Sequence, residues 1–159
     1  DEEATLKLTK DANQIIFSIK EAELVTRLIA GEYPEYQKII PQGKITQIII
    51  NTDELQRAVK TTSLFAKDSA NIIKFNIKQQ TLKITANAPE VGSNEIDLEI
   101  QKEGDDLQIA FNCRFLQEFL ATVNEEEIIL ESLGSLKPGV FKSDKRKDFL
   151  YLIMPVRVQ

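Results

Sequence analysis

Much of the chain alternates apolar and polar residues with a period near two. Leu6-Lys7-Leu8, Ile45-Thr46-Gln47-Ile48, Lys74-Phe75-Asn76-Ile77, Leu82-Lys83-Ile84 and Glu95-Ile96-Asp97-Leu98-Glu99-Ile100 all show it. Such runs put apolar side chains on one pleat face and leave the other wet, which predicts half-buried strands. Further strands are predicted at 14–19, 22–29, 107–111, 127–131, 139–142 and 149–156, punctuated by Gln79-Gln80, Gly104-Asp105 and Lys137-Pro138-Gly139. The pattern is antiparallel and rich in turns.

Two stretches take helical spacing instead. In 52–66, Leu55, Ala58, Val59 and Thr62 share one stripe; in 113–123, Leu116, Phe119, Leu120 and Val123 do the same. Asn51 or Thr52 can cap the first helix, with Asp53 and Glu54 in its first turn, and Asn112 can cap the second. The two helix starts share the pattern Asn-x-x-x-Leu-Gln, at Asn51 and at Asn112, and each helix is followed by strand signals. Residues 45–100 and 105–158 therefore read as a duplicated strand-helix-strands unit, an α+β chain. Residues 1–41 fit neither copy: a hairpin leads into Gly31-Glu32-Tyr33-Pro34-Glu35-Tyr36 and Pro41, and 33–41 is expected to be a stiff, extended connector.

The 159 residues, 42% hydrophobic and 28% charged, suit one ordinary globular domain with a fragment attached. The apolar run 149–158 is about half the length of a membrane span. The opening Asp-Glu-Glu-Ala carries no secretory signal pattern, so a cytoplasmic address is expected. A single cysteine cannot close an intramolecular disulfide, and the lack of histidine argues against metalloenzymes and histidine triads. Carboxylates, lysines, hydroxyls and Cys113 remain, but nothing in the sequence gathers them. A formal charge of −5 opposes binding of nucleic acid by bulk electrostatics, so any DNA contact is local or topological.

Candidate sites admit two readings each. Tyr151-Leu152-Ile153-Met154-Pro155-Val156-Arg157-Val158 is either a core strand that stops or the wall of an apolar groove, with an adaptable Met, a stiff Pro and an orienting Arg. Arg57 and Lys60 share a helix face, and Arg114 stands on the second helix with Glu118 at i+4: a solvated surface, or a faint basic stripe. Lys142, Lys145, Arg146 and Lys147 read as a solubilising hairpin tip, Glu125-Glu126-Glu127 as an edge guard, and Cys113 as a small buried packer.

Three segments resemble the bacterial sliding clamp family, the β subunit of the replicative DNA polymerase: residues 28–41 (LIAGEYPEYQKIIP), 82–90 (LKITANAPE) and 151–157 (YLIMPVR). The resemblance implies that 43–159 is the third clamp domain and 1–42 the tail of the second. It implies a clamp (processivity) fold of duplicated β-α-β-β-β units, with two helices packed on antiparallel sheets. It further implies a non-catalytic, cofactor-free processivity factor: a head-to-tail homodimeric ring around duplex DNA in the bacterial cytoplasm, associated with the nucleoid. Polymerase, clamp loader and repair proteins would dock through short linear motifs. By position, the peptide groove would be walled by Pro34, Lys38, Ile39, Asn112, Phe115, Leu136, Pro138, Leu152, Ile153, Met154, Pro155, Val156 and Arg157. Arg57, Lys60 and Arg114 would face DNA. Exposed Leu64 and Phe65, with Glu90 and Glu95, would form the ring contact, and this chain alone would be a monomer. The competing expectation is a stand-alone β-rich interaction or ligand-binding domain; a carboxylate hydrolase comes third.

Overall fold

A computed structural model describes residues 3–88, 92–143, 145, 146 and 148–157. The chain divides into two compact units, Asp1–Tyr36 and Gln37–Gln159. The first is an antiparallel sheet of β1 (Thr5–Leu8), β2 (Gln14–Ile19) and β3 (Ala22–Arg27) in that order. Its register lines up Leu6, Phe17 and Leu24, with Leu8 and Ile15 beside them, so one face is almost wholly apolar. Leu6, Leu8 and Leu24 on that face are exposed.

The second unit contains β4 (Thr46–Asn51), α1 (Thr52–Ala66), β5 (Ile72–Lys78), β6 (Thr81–Ala88) and β7 (Gly92–Glu99), then β8 (Gln101–Gly104). It continues with β9 (Leu107–Asn112), α2 (Cys113–Leu120), β10 (Glu127–Ser132), β11 (Gly139–Lys142) and β12 (Leu150–Ile153). Two antiparallel sheets result, ordered β12-β11-β10-β4-β8 and β7-β6-β5-β9. Each holds a three-stranded meander from one copy of the repeat and the first strand of the other copy, and the five-stranded sheet adds β8 on the far side of β4. Asn51 stands opposite Glu127 where β4 meets β10, and Asn112 opposite Ile72 where β9 meets β5.

The repeated residues explain this exchange. Asn51 Oδ1 accepts the Glu54 N–H at 3.1 Å and Asn112 Oδ1 accepts the Arg114 N–H at 3.0 Å, so each asparagine satisfies an orphan donor where a strand becomes a helix. The next residue, Thr52 or Cys113, donates its N–H to the carbonyl just before the partner copy's strand, Glu126 at 2.9 Å or Asn71 at 2.8 Å. The leucines Leu55 and Leu116 are fully buried. The glutamines tie the helices together: Gln56 Nε2 donates to the Leu120 carbonyl at 3.5 Å, and Gln117 Nε2 to Ser63 Oγ at 3.0 Å.

An aromatic chain spans the core between the sheets. Phe75 meets Phe111 with centroids 5.5 Å apart, Phe111 meets Phe141 at 5.8 Å, and Phe119 packs on Phe141 at 5.1 Å and Tyr151 at 5.2 Å. Gly139 admits this packing, because a Cβ there would lie 2.6 Å from the Phe111 ring.

Several boundaries depart from expectation. The second helix ends at Leu120, since the Thr122 N–H and hydroxyl both turn back to the Phe119 carbonyl; Val123 stays buried beyond it. The 95–100 alternation breaks at Ile100, whose N–H bonds Gln80 O at 3.0 Å, and the chain then crosses to the other sheet as β8. The predicted 149–156 strand is only Leu150–Ile153, and 22–29 ends at Arg27. The 33–41 connector is not extended throughout, because Tyr36–Lys38 forms a 3₁₀ turn.

Candidate functional site

The C-terminal segment leaves the five-stranded sheet and reaches the edge of the other. In β12, Tyr151 packs on Phe119 and Ile153 is 2% exposed, while Leu150 and Leu152 point to the opposite face. Beyond Met154, Pro155 offers no N–H with which to extend the ladder. The Val156 N–H instead donates to the Ala110 carbonyl of β9 at 2.8 Å. Met154 is left 58% exposed, and Leu136 and Phe115 are also exposed, a set of apolar side chains on one folded unit with no internal cover.

Leu136 and Val156 line a common cavity of about 610 Å³, together with Ile45, Leu133, Asp105 and Gln108. Ile39 and Arg157 are exposed; Leu152, Pro155 and Val156 are half-buried. Two expected wall residues are corrected: Ile153 and Pro138 are buried, Ile153 as part of the core, so neither offers a free surface. Asn112 is engaged as the α2 cap. Lys38 lies in the 3₁₀ turn, and Pro34 is an exposed residue of the N-terminal unit.

Arg57 and Lys60 on α1 and Arg114 on α2 are all exposed. Among the described residues none of the three has an ion-pair partner, and Glu118 does not engage Arg114. Arg57 nevertheless shares a shallow cleft with Glu54, Asp97 and Glu99, whose charge offsets its own. Two cations of the 142–146 segment are held: Lys142 pairs with Glu131 at 2.8 Å, and Arg146 lies over the Phe149 ring and 3.9 Å from Glu125.

At the C-terminal end of α1, Leu64 is 61% exposed. Phe65 was expected to be exposed but is half-buried against the core, because α1 packs that side on the sheets. Glu95 lies on β7, the open edge of its sheet, and already binds Lys83, whose pKa this hydrogen bond raises. Glu90 lies outside the described residues. Burial pushes the Cys113 thiol up, which suits a packing residue rather than a nucleophile.

Sequence reasoning missed Asp105 and Gln108, and used Ile45 only as a strand residue. Their cavity is assembled from distant segments, and the only local hint was Pro155, which forces the tail out of its ladder.

Residues 37–157 match the family described as DNA polymerase III beta subunit, C-terminal domain. The beta sliding clamp of Bacillus subtilis is 29% identical over 160 residues, which covers 99% of this chain and 42% of the relative. The Staphylococcus aureus beta sliding clamp is 25% identical with the same coverage. Among solved structures, the DNA polymerase III beta subunit of Thermotoga maritima aligns with a TM-score of 0.83 at 28% identity, covering 98% of this chain and 42% of that one. A Bartonella birtlesii sliding clamp bound to griselimycin aligns at 0.84 and 28% identity, covering 98% and 41%. The chain thus spans 42% of the length of these curated relatives.

Proposed function

Because the chain belongs to the DNA polymerase III beta subunit, C-terminal domain family, we propose that it is the C-terminal part of a sliding clamp, a non-catalytic processivity factor. The clamp encircles duplex DNA and tethers polymerase, clamp loader and repair proteins. The observation that carries the docking role is the tail geometry. Val156 fastens the segment to β9, and the fastened tail leaves Met154 exposed on the same unit that also exposes Leu136 and Phe115. A motif's leucine and aromatic side chains would be taken up by Met154, Leu136 and Phe115, with Pro155 stiffening the wall and Arg157 orienting the peptide's polar end. Lys38, Ile39 and Leu152 complete this reading of the groove, with Asn112 holding the start of α2.

The ring contact uses Leu64 together with the open edge of β7, where Glu95 supplies an acidic rim, while Phe65 is held against the core. Duplex DNA meets Arg57, Lys60 and Arg114, which make weak phosphate contacts without reading bases, as sliding requires. Residues 1–42 belong with the preceding domain, whose remainder covers the apolar face of β1–β3. On its own this chain is a monomer; the homodimeric ring needs the whole protein, and it works in the cytoplasm on the nucleoid.

The test is fluorescence anisotropy with a labelled Gln-Leu-x-Leu-Phe peptide, titrated with this chain and with its Met154→Ala/Pro155→Ala variant. Saturable binding that the variant loses supports the groove. Equal binding by both proteins refutes it.

A further inference from the structure

The cavity beside the tail carries a second inference, which rests on the peptide-docking reading above. Strand β9 is the edge of its sheet, paired on one side with β5 only. On the other side, among the described residues, the tail supplies one bond, from Val156 N–H to the Ala110 carbonyl. Backbone groups of alternate residues on a strand point the same way. The outward Ala110 carbonyl therefore sets the N–H and C=O of Gln108 toward the same edge, where the described residues of the tail make no bond to them.

That edge borders the cavity of about 610 Å³. Exposed Ile45 and Leu136 and half-buried Leu133 and Val156 give it apolar walls. Its acidic residues differ in availability: Asp106 is bound by Lys102, which holds its carboxyl below the usual range, whereas among the described residues Asp105 has no ion-pair partner. The Asp105 backbone is fixed, with its N–H on Ile45 O at 3.3 Å and its carbonyl accepting the Thr46 hydroxyl at 3.0 Å.

We infer that this compartment takes an extended segment of a docking partner, flanking the motif bound at the tail and added as a strand to the open edge of β9 at Gln108. One apolar side chain of that segment enters between Ile45 and Leu136, and a Lys or Arg pairs with Asp105. Continuity is what selects this occupant, since Val156 of the tail and Leu136 of the proposed groove both line this cavity. An open backbone edge with an apolar cleft beside it is the arrangement that β-addition uses.

The experiment compares labelled peptides on the intact chain: the core Gln-Leu-x-Leu-Phe pentapeptide, and the same core extended at either end by a short β-forming segment with one Lys. One extension should tighten binding about tenfold. Gln108→Pro removes the outward N–H without touching the β5 ladder, a placement that edge strands tolerate. It should abolish the gain, as should Asp105→Asn, and both should leave the core peptide's affinity unchanged. Circular dichroism and that unchanged core affinity verify that the variants are folded. If the core binds and neither extension helps, this inference fails and the tail groove stands. If the core itself does not bind, both fail.

Discussion

Thr52 and Cys113 occupy equivalent places in the two copies of the repeat, each 5% exposed or less and each donating its N–H to the partner copy. They differ in that Thr52 carries a buried hydroxyl with no hydrogen-bond partner. Leaving such a group unsatisfied costs about 1–3 kcal/mol. Thr52→Val replaces the hydroxyl by a methyl of similar volume with the same β-branching, so the helix start changes little. We expect stabilisation by about 1–2 kcal/mol, at the lower end of that cost. For a folded unit of roughly 120 residues this corresponds to a rise in Tm of about 4–8 °C. Urea denaturation should show a higher midpoint with an unchanged slope. The control is Thr52→Ser, which keeps the hydroxyl and loses a methyl, and it should destabilise by about 1 kcal/mol. A Val variant less stable than the parent would show that the hydroxyl is satisfied, and the reasoning would be wrong.

Gly139→Ala should destabilise by about 1–3 kcal/mol, because its Cβ would press into the Phe111 ring in the close-packed core; an unchanged urea midpoint refutes this. The Lys102 hydrogen bond depresses the Asp106 pKa, so its stabilisation is present above the unfolded carboxylate pKa and is lost as pH falls through the folded value. Asp106→Asn should therefore flatten the acid limb of the stability profile, and an unaltered limb counts against the pairing. In the full-length clamp, Leu64→Asp should give monomers by sedimentation while the thermal unfolding of the domain stays near the parent's, since Leu64 is exposed and Phe65 keeps its core contact. Replacing Arg57, Lys60 and Arg114 together by Glu should reduce DNA-dependent clamp loading without unfolding the protein; normal loading sinks their assignment.

Legibility in the sequence tracked how local the determining physics is. The bounds of α1 are recoverable because the Asn51 cap and the Leu55, Ala58, Val59 stripe lie within the element. For α2 the apolar stripe runs on to a buried Val123, but Thr122 closes the helix through the Phe119 carbonyl, a competition that periodicity does not register. Strand β8, Gln101-Lys102-Glu103-Gly104, has no apolar residue; it exists because β4 offers it an edge and Gly104 allows close approach to the Ile45 carbonyl. The Asn-x-x-x-Leu-Gln repeat reveals two copies, whereas their exchange of first strands is a long-range register. At the site, the exposure of Met154 follows from the Pro155 break, yet the burial of Ile153 and Pro138 depends on sheet packing that no single segment encodes.

The charge distribution is the one the proposed clamp function calls for, in which an acidic protein holds DNA by enclosure. On the sheets, Lys83, Lys102 and Lys142 are each held by a carboxylate, whereas the three helical cations Arg57, Lys60 and Arg114 have no ion pair among the described residues. Each release of a counterion from the duplex adds affinity and salt dependence, so a few unpaired cations give weak contact and many would arrest sliding. Arg57 is further weakened by Glu54, Asp97 and Glu99 in its cleft. The glutamine ties between the helices fix the spacing of these cations without adding charge to the surface. Under the proposed function, strong retention on DNA would then have to come from ring closure, and the apolar Leu64 at the end of α1, 61% exposed, is the feature of that helix proposed to supply it.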